Sequence, residues 1–108
     1  MAIHFSQERW ARVRDTFARW WAGTLERPAA EVVVYGAYAP EGPRPAAPLL
    51  DQSNCHDFRW SASEVVDALD DWLSQQEFLG DAFPFVNFNS FGPGVLAAFC
   101  GAKLDNSS

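Results

Sequence analysis

The chain has 108 residues, 14 acidic against 8 basic, 48% hydrophobic and 15% aromatic, with a formal charge of -6. That length suits one domain of roughly 100–200 residues rather than two, and the aromatic content excludes a disordered chain. The acidic balance opposes the counterion release that drives nucleic-acid binding.

The start, Met1-Ala2-Ile3-His4-Phe5-Ser6-Gln7-Glu8, has no basic run before an apolar core and no small-residue cleavage site, so no secretory signal is expected. No apolar stretch approaches the roughly 18–20 residues of a membrane span. A cytoplasmic protein with no membrane partner is the expectation, with Cys55 and Cys100 as reduced thiols. Five arginines, Arg9, Arg12, Arg14, Arg19 and Arg27, stand among three acids in the first 27 residues, so this segment nets +2 and the remainder -8. Interleaved with acids, they read as a solvated helix face, and no nucleic-acid partner is expected.

Residues 6–22 are predicted as a helix. Ser6 suits the N-cap, Glu8 complements the dipole in the first turn, and Gly23 supplies the stop. Trp10, Val13, Phe17, Trp20 and Trp21 recur at steps of three and four and predict a core-facing stripe. Residues 30–38 contain Val32-Val33-Val34 in a run too short for a helix and predict a strand, apolar on both faces as in a covered parallel sheet. Four prolines between Pro40 and Pro48 predict an exposed loop over 39–60. Ser61 and Glu64 form a capping box that opens a second helix, running to about Gln76. Its expected buried face is Val65, Leu69, Trp72 and Leu73; its wet face is Glu64, Asp67, Asp70 and Asp71. Residues 83–89 predict a second strand, with Pro84 confined to its start, and Gly92-Pro93-Gly94 opens a short helix over 95–100.

The predicted architecture is α/β in the order α-β-α-β-α. The strands are expected to be parallel because a crossover containing a helix joins them.

Asn54-Cys55-His56-Asp57 places thiol, imidazole and carboxylate side by side, but neighbours in sequence do not make a nucleophilic dyad, and zinc needs three or four ligands at set spacings. No metal and no cofactor is therefore expected, and a thiol enzyme built on Cys55 and His56 is a third-ranked reading. The turn Asn89-Ser90-Phe91-Gly92-Pro93-Gly94 lies between strand and helix, where glycines expose backbone to a ligand, yet its spacing is neither a dinucleotide fingerprint nor a P-loop.

The stretch Phe78-Leu79-Gly80-Asp81-Ala82-Phe83-Pro84, then Asn87-Phe88 and Phe91-Gly92-Pro93-Gly94-Val95-Leu96-Ala97-Ala98-Phe99-Cys100-Gly101-Ala102, resembles the N-terminal part of uroporphyrinogen decarboxylase-like proteins, in the divergent branch that includes corrinoid-linked methyltransferases. The arginine-rich first helix with Trp20-Trp21 before Arg27-Pro28 resembles the entry to such proteins. The resemblance implies a (β/α)8 TIM barrel. A barrel takes about 250 residues, so the chain would supply its first third, as one incomplete barrel-like domain over 1–108. It departs from the family in two places. The proline-rich stretch after Tyr38, from Pro40 to Pro48, holds only Arg44, where decarboxylases carry an arginine-rich substrate loop, and the strand end offers Asn87 and Asn89 where they carry an aspartate. The family's zinc motif falls in the later barrel.

The leading expectation is a catalytically silent N-terminal segment of such a barrel protein, of decarboxylase or methyltransferase class. The polar turn Lys103-Leu104-Asp105-Asn106-Ser107-Ser108 stands where the family continues. A small self-associating α/β interaction module is the alternative, so the expected partner is the barrel remainder or a second copy, with a small-molecule ligand in a full-length relative. Barrels hold ligands at the C-terminal strand ends, which here predicts a polar site from Tyr35, Asn87, Asn89, Gly92 and Gly94 opening on one side. Asn89 also suits a simple turn cap.

Overall fold

The computed structural model describes residues 2–54, 57–87, 97 and 99–103. Ser6 keeps an extended backbone and its hydroxyl accepts the Arg9 N–H at 3.1 Å, so α1 (Gln7–Trp21) begins at the expected cap. Gly23 follows at φ 73°, a left-handed conformation that ends the helix without Cβ strain. The aromatic stripe is core only in its middle. Val13 is buried and Phe17 half-buried, but Trp20 is exposed and Trp21 is 80% exposed.

β1 (Glu31–Val34), α2 (Ala62–Ser74) and β2 (Glu77–Gly80) complete the order α-β-α-β. The box at α2 forms as expected: the Glu64 N–H donates to Ser61 Oγ at 3.3 Å, and Glu64 Oε2 accepts the Ser61 N–H at 2.8 Å. The Ser61 N–H first, and then the Ser61 hydroxyl donating to the same Oε2 at 2.8 Å, hold the Glu64 carboxyl below its usual range.

The sheet overturns the predicted fold class. Among the described residues it has two strands, and they are antiparallel, with Glu31 opposite Gly80 and Val34 opposite Glu77. The second strand is residues 77–80, which lie between the predicted end of the second helix at Gln76 and the predicted strand over 83–89, and residues 82–87 form neither strand nor helix. Of the short helix expected over 95–100, only Ala97, Phe99 and Cys100 are described; the remainder lies outside the described residues.

Two physical reasons account for the change. A helix-containing crossover enforces parallel strands only when the helix alone reverses the chain, and residues 35–61 here add a long loop with room for a second reversal. The alternation of Phe83 and Phe85 reflects ring packing instead of pleating. Phe83 lies 5.7 Å from the Trp10 ring, 5.8 Å from Phe17 and 5.6 Å from Phe85. Phe78 takes the strand position that faces the core, opposite Val33 and edge-on to Phe5 at 5.8 Å.

The chain forms two compact units, residues 1–44 with 70–85, and residues 45–69 with 86–108. The first holds α1, the sheet and the last turn of α2. The described part of the second contains the start of α2 and a proline-rich stretch without regular structure, with Ala47 and Ala68 buried. Local side-chain bonds order the loop: Asp51 Oδ1 accepts from the Ser53 hydroxyl and N–H, and Asp57 accepts from Arg59. These bonds lower the pKa of both carboxyls, the side-chain donors contributing first.

Asp71 also departs from expectation. It is buried instead of wet, with Arg44 at 3.6 Å and the Gln75 amide donating to its Oδ2 at 3.1 Å. Its Oδ1 is buried and has no hydrogen-bond partner among the described residues.

Gly80 has a structural duty. Its φ is 62°, and an added Cβ would stand 2.5 Å from the Ala30 carbonyl oxygen. Both the left-handed backbone and this backbone contact oppose any side chain, so Gly80→Ala should cost about 2 kcal/mol. Urea unfolding followed by tryptophan fluorescence measures it, and Gly36→Ala is the comparison: its φ is 67°, but nothing lies within 4 Å.

Candidate functional site

The predicted polar site rested on parallel strand ends opening on one side. In the antiparallel sheet the C-terminal ends of β1 and β2 lie at opposite ends of the pairing. Tyr35 belongs to the first unit, is 68% exposed, and stacks with Trp72 at 6.2 Å. Asn87 is exposed and belongs to the second unit. Asn89, Gly92 and Gly94 lie outside the described residues, as do Cys55 and His56. Among the described residues no three His, Cys, Asp or Glu side chains gather as metal ligands, and no helix is long and apolar enough to cross a membrane.

What the fold does assemble is a junction where the start of β1 meets the end of β2. Asp81 Oδ2 accepts from Arg27 Nη1 at 2.7 Å and from the Ala30 N–H at 2.8 Å, while Oδ1 accepts from Arg27 Nη2 at 2.8 Å. The Asp81 N–H returns a bond to the Ala30 carbonyl at 2.8 Å. This two-pronged guanidinium, followed by the Ala30 N–H and opposed by burial, lowers the Asp81 pKa to about 2 and raises that of Arg27. Arg27 remains half in solvent, and Asp81 is buried.

Arg9 approaches the same junction from α1. Its Nη1 donates to the Phe78 carbonyl at 2.6 Å, its Nη2 reaches the Gly80 carbonyl at 3.4 Å, and its guanidinium lies 5.3 Å from the centre of the Phe5 ring. The arginines of the first helix are therefore not uniformly a solvated face. Arg9 ties α1 to β2, and it was missed because its acceptors lie about seventy positions away and are main-chain oxygens. Gly80-Asp81 was quoted for its family resemblance, yet no local signal linked Asp81 to Arg27.

Two cavities border this junction. One, about 450 Å³, lies between Arg9, Arg12 and Thr16 on α1, Leu79 and Asp81 at the end of β2, and Arg27. The other, about 760 Å³, is an open apolar groove along α1 past Trp10, Val13, Phe17 and Trp21 to Phe83 and Glu31.

The second face of the sheet is also apolar. Register places Val32 beside Leu79 on the face opposite Val33 and Phe78, with Val34 next to them, and all three are substantially exposed. The sequence pattern of a strand apolar on both faces is real, and among the described residues one of those faces is uncovered.

No family model, no curated protein and no solved structure matches this chain.

Proposed function

We propose that the chain is the N-terminal segment of a uroporphyrinogen decarboxylase-like protein, of decarboxylase or methyltransferase class, and performs no chemistry alone. Support comes from the uncovered face formed by Val32, Val34 and Leu79, joined to the motif residues from Phe78 to Pro84 that build the adjoining junction. A sheet with both faces apolar gains its full burial only when a further layer covers it. The two strands are antiparallel, so they are not consecutive staves of a parallel barrel.

A second reading, a self-associating interaction module, draws on the same sheet. Each of its two strands has an outer edge that pairs with no strand among the described residues, and such edges accept a further strand.

Sedimentation velocity of the 108-residue chain across a concentration series, run beside binding of an apolar-surface dye, separates the readings. The segment reading expects a monomer that binds dye, with dye binding reduced in Val32→Thr/Leu79→Thr. A dimer abolished by Val32→Lys transfers the assignment to the self-associating module, and a monomer that binds no dye overturns both readings.

A further inference from the structure

We propose that the 450 Å³ cavity between α1 and the end of β2 is a binding site for the dianionic phosphate of a small phosphomonoester. Three guanidinium groups, Arg9, Arg12 and Arg27, border it with a single carboxylate, Asp81, so the cavity carries two net positive charges inside a chain of net charge -6.

The carboxylate does not quench that charge. Both Asp81 oxygens are engaged by Arg27, and Oδ2 also accepts from Ala30, which leaves neither directed at Arg12. Arg9 spends two N–H groups on main-chain carbonyls, which fixes its position and leaves its charge in place. Arg12 makes no hydrogen bond or ion pair among the described residues.

Arg9, Arg12 and Thr16 follow one another at steps of three and four, so they share one side of α1, and the Thr16 hydroxyl adds an uncharged donor. Arg9 and Arg27 are held by their own bonds before any ligand arrives, so ordering cost falls mainly on Arg12. Val13 supplies apolar surface beside the charges, which strengthens the interaction with charge and gives the organic part of the ligand a surface. Two net positive charges match a dianion better than a monocarboxylate, and the guanidinium fork matches the tetrahedral oxygens of phosphate.

The test is calorimetric titration of the full chain at pH 7.5 and low salt, with inorganic phosphate, phenyl phosphate and succinate as separate probes. Saturable one-site binding of phosphate is expected, tighter for phenyl phosphate because of that apolar surface, and weakened by added sodium chloride. Arg12→Gln should weaken phosphate by about tenfold, the loss of one charge-assisted contact. Arg12→Lys should retain part of the affinity, and Arg14→Gln, which lines the apolar groove instead, should leave it unchanged. Thermal melting of each variant should match the parent chain, since Arg12 has no hydrogen-bond or ion-pair partner among the described residues. Absence of saturation, equal affinity in the parent and Arg12→Gln chains, equal losses in Arg12→Gln and Arg14→Gln, or succinate binding as tightly as phosphate would each overturn the assignment.

Discussion

Phe78→Ala should remove about 3–5 kcal/mol of stability, the range for truncating a well-packed aromatic core residue. Phe78 is 2% exposed and the one large side chain among the described residues that is fully buried. The remaining buried apolar residues of the first unit, among those described, are Val13, Leu73 and Ala82, so little else can close over the hole. Against a total of about 5–15 kcal/mol for a domain, such a loss takes much of the margin. Urea unfolding at 25 °C should show the midpoint falling steeply, with Phe58→Ala, at an exposed position, within about 0.5 kcal/mol of the parent. Equal losses at the two positions would mean that the first unit is not organised around Phe78.

Asp81→Asn should cost about 2–3 kcal/mol, because it unpairs Arg27 and leaves the Ala30 N–H with a weaker acceptor. Arg27 is half in solvent and can rehydrate, which keeps the effect below the loss of a fully buried pair. The pH dependence has a definite sign. The Asp81 pKa is about 2 in the folded chain against an ordinary 3.8, so its contribution is complete above about 4 and disappears as pH falls from there through 2. Glu64, Asp57 and Asp51 are shifted the same way and add to acid sensitivity. Stability measured by urea unfolding between pH 6 and pH 2 should therefore fall less steeply in Asp81→Asn than in the parent. An unchanged slope would remove the junction from the account of acid stability.

Both helix starts and the end of the first were legible in the sequence because their determinants act within one turn. Ser6 with Arg9, Ser61 with Glu64, and Gly23 after Trp21 each involve groups a few positions apart, whatever the rest of the chain does. The strand at 31–34 was legible too, from its three valines, although the predicted span of 30–38 was too long. That β1 would pair antiparallel with residues 77–80 was not, since only the tertiary structure brings Val33 opposite Phe78 and Arg27 to Asp81. Strand pairing couples positions on opposite sides of a long loop, and a four-residue strand such as Glu77-Phe78-Leu79-Gly80 is too short to show a period. The same long-range packing turned Asp71 inward and Trp21 outward against their helical patterns, and it made Arg9, expected on a solvated face, and Asp81 into ties between elements.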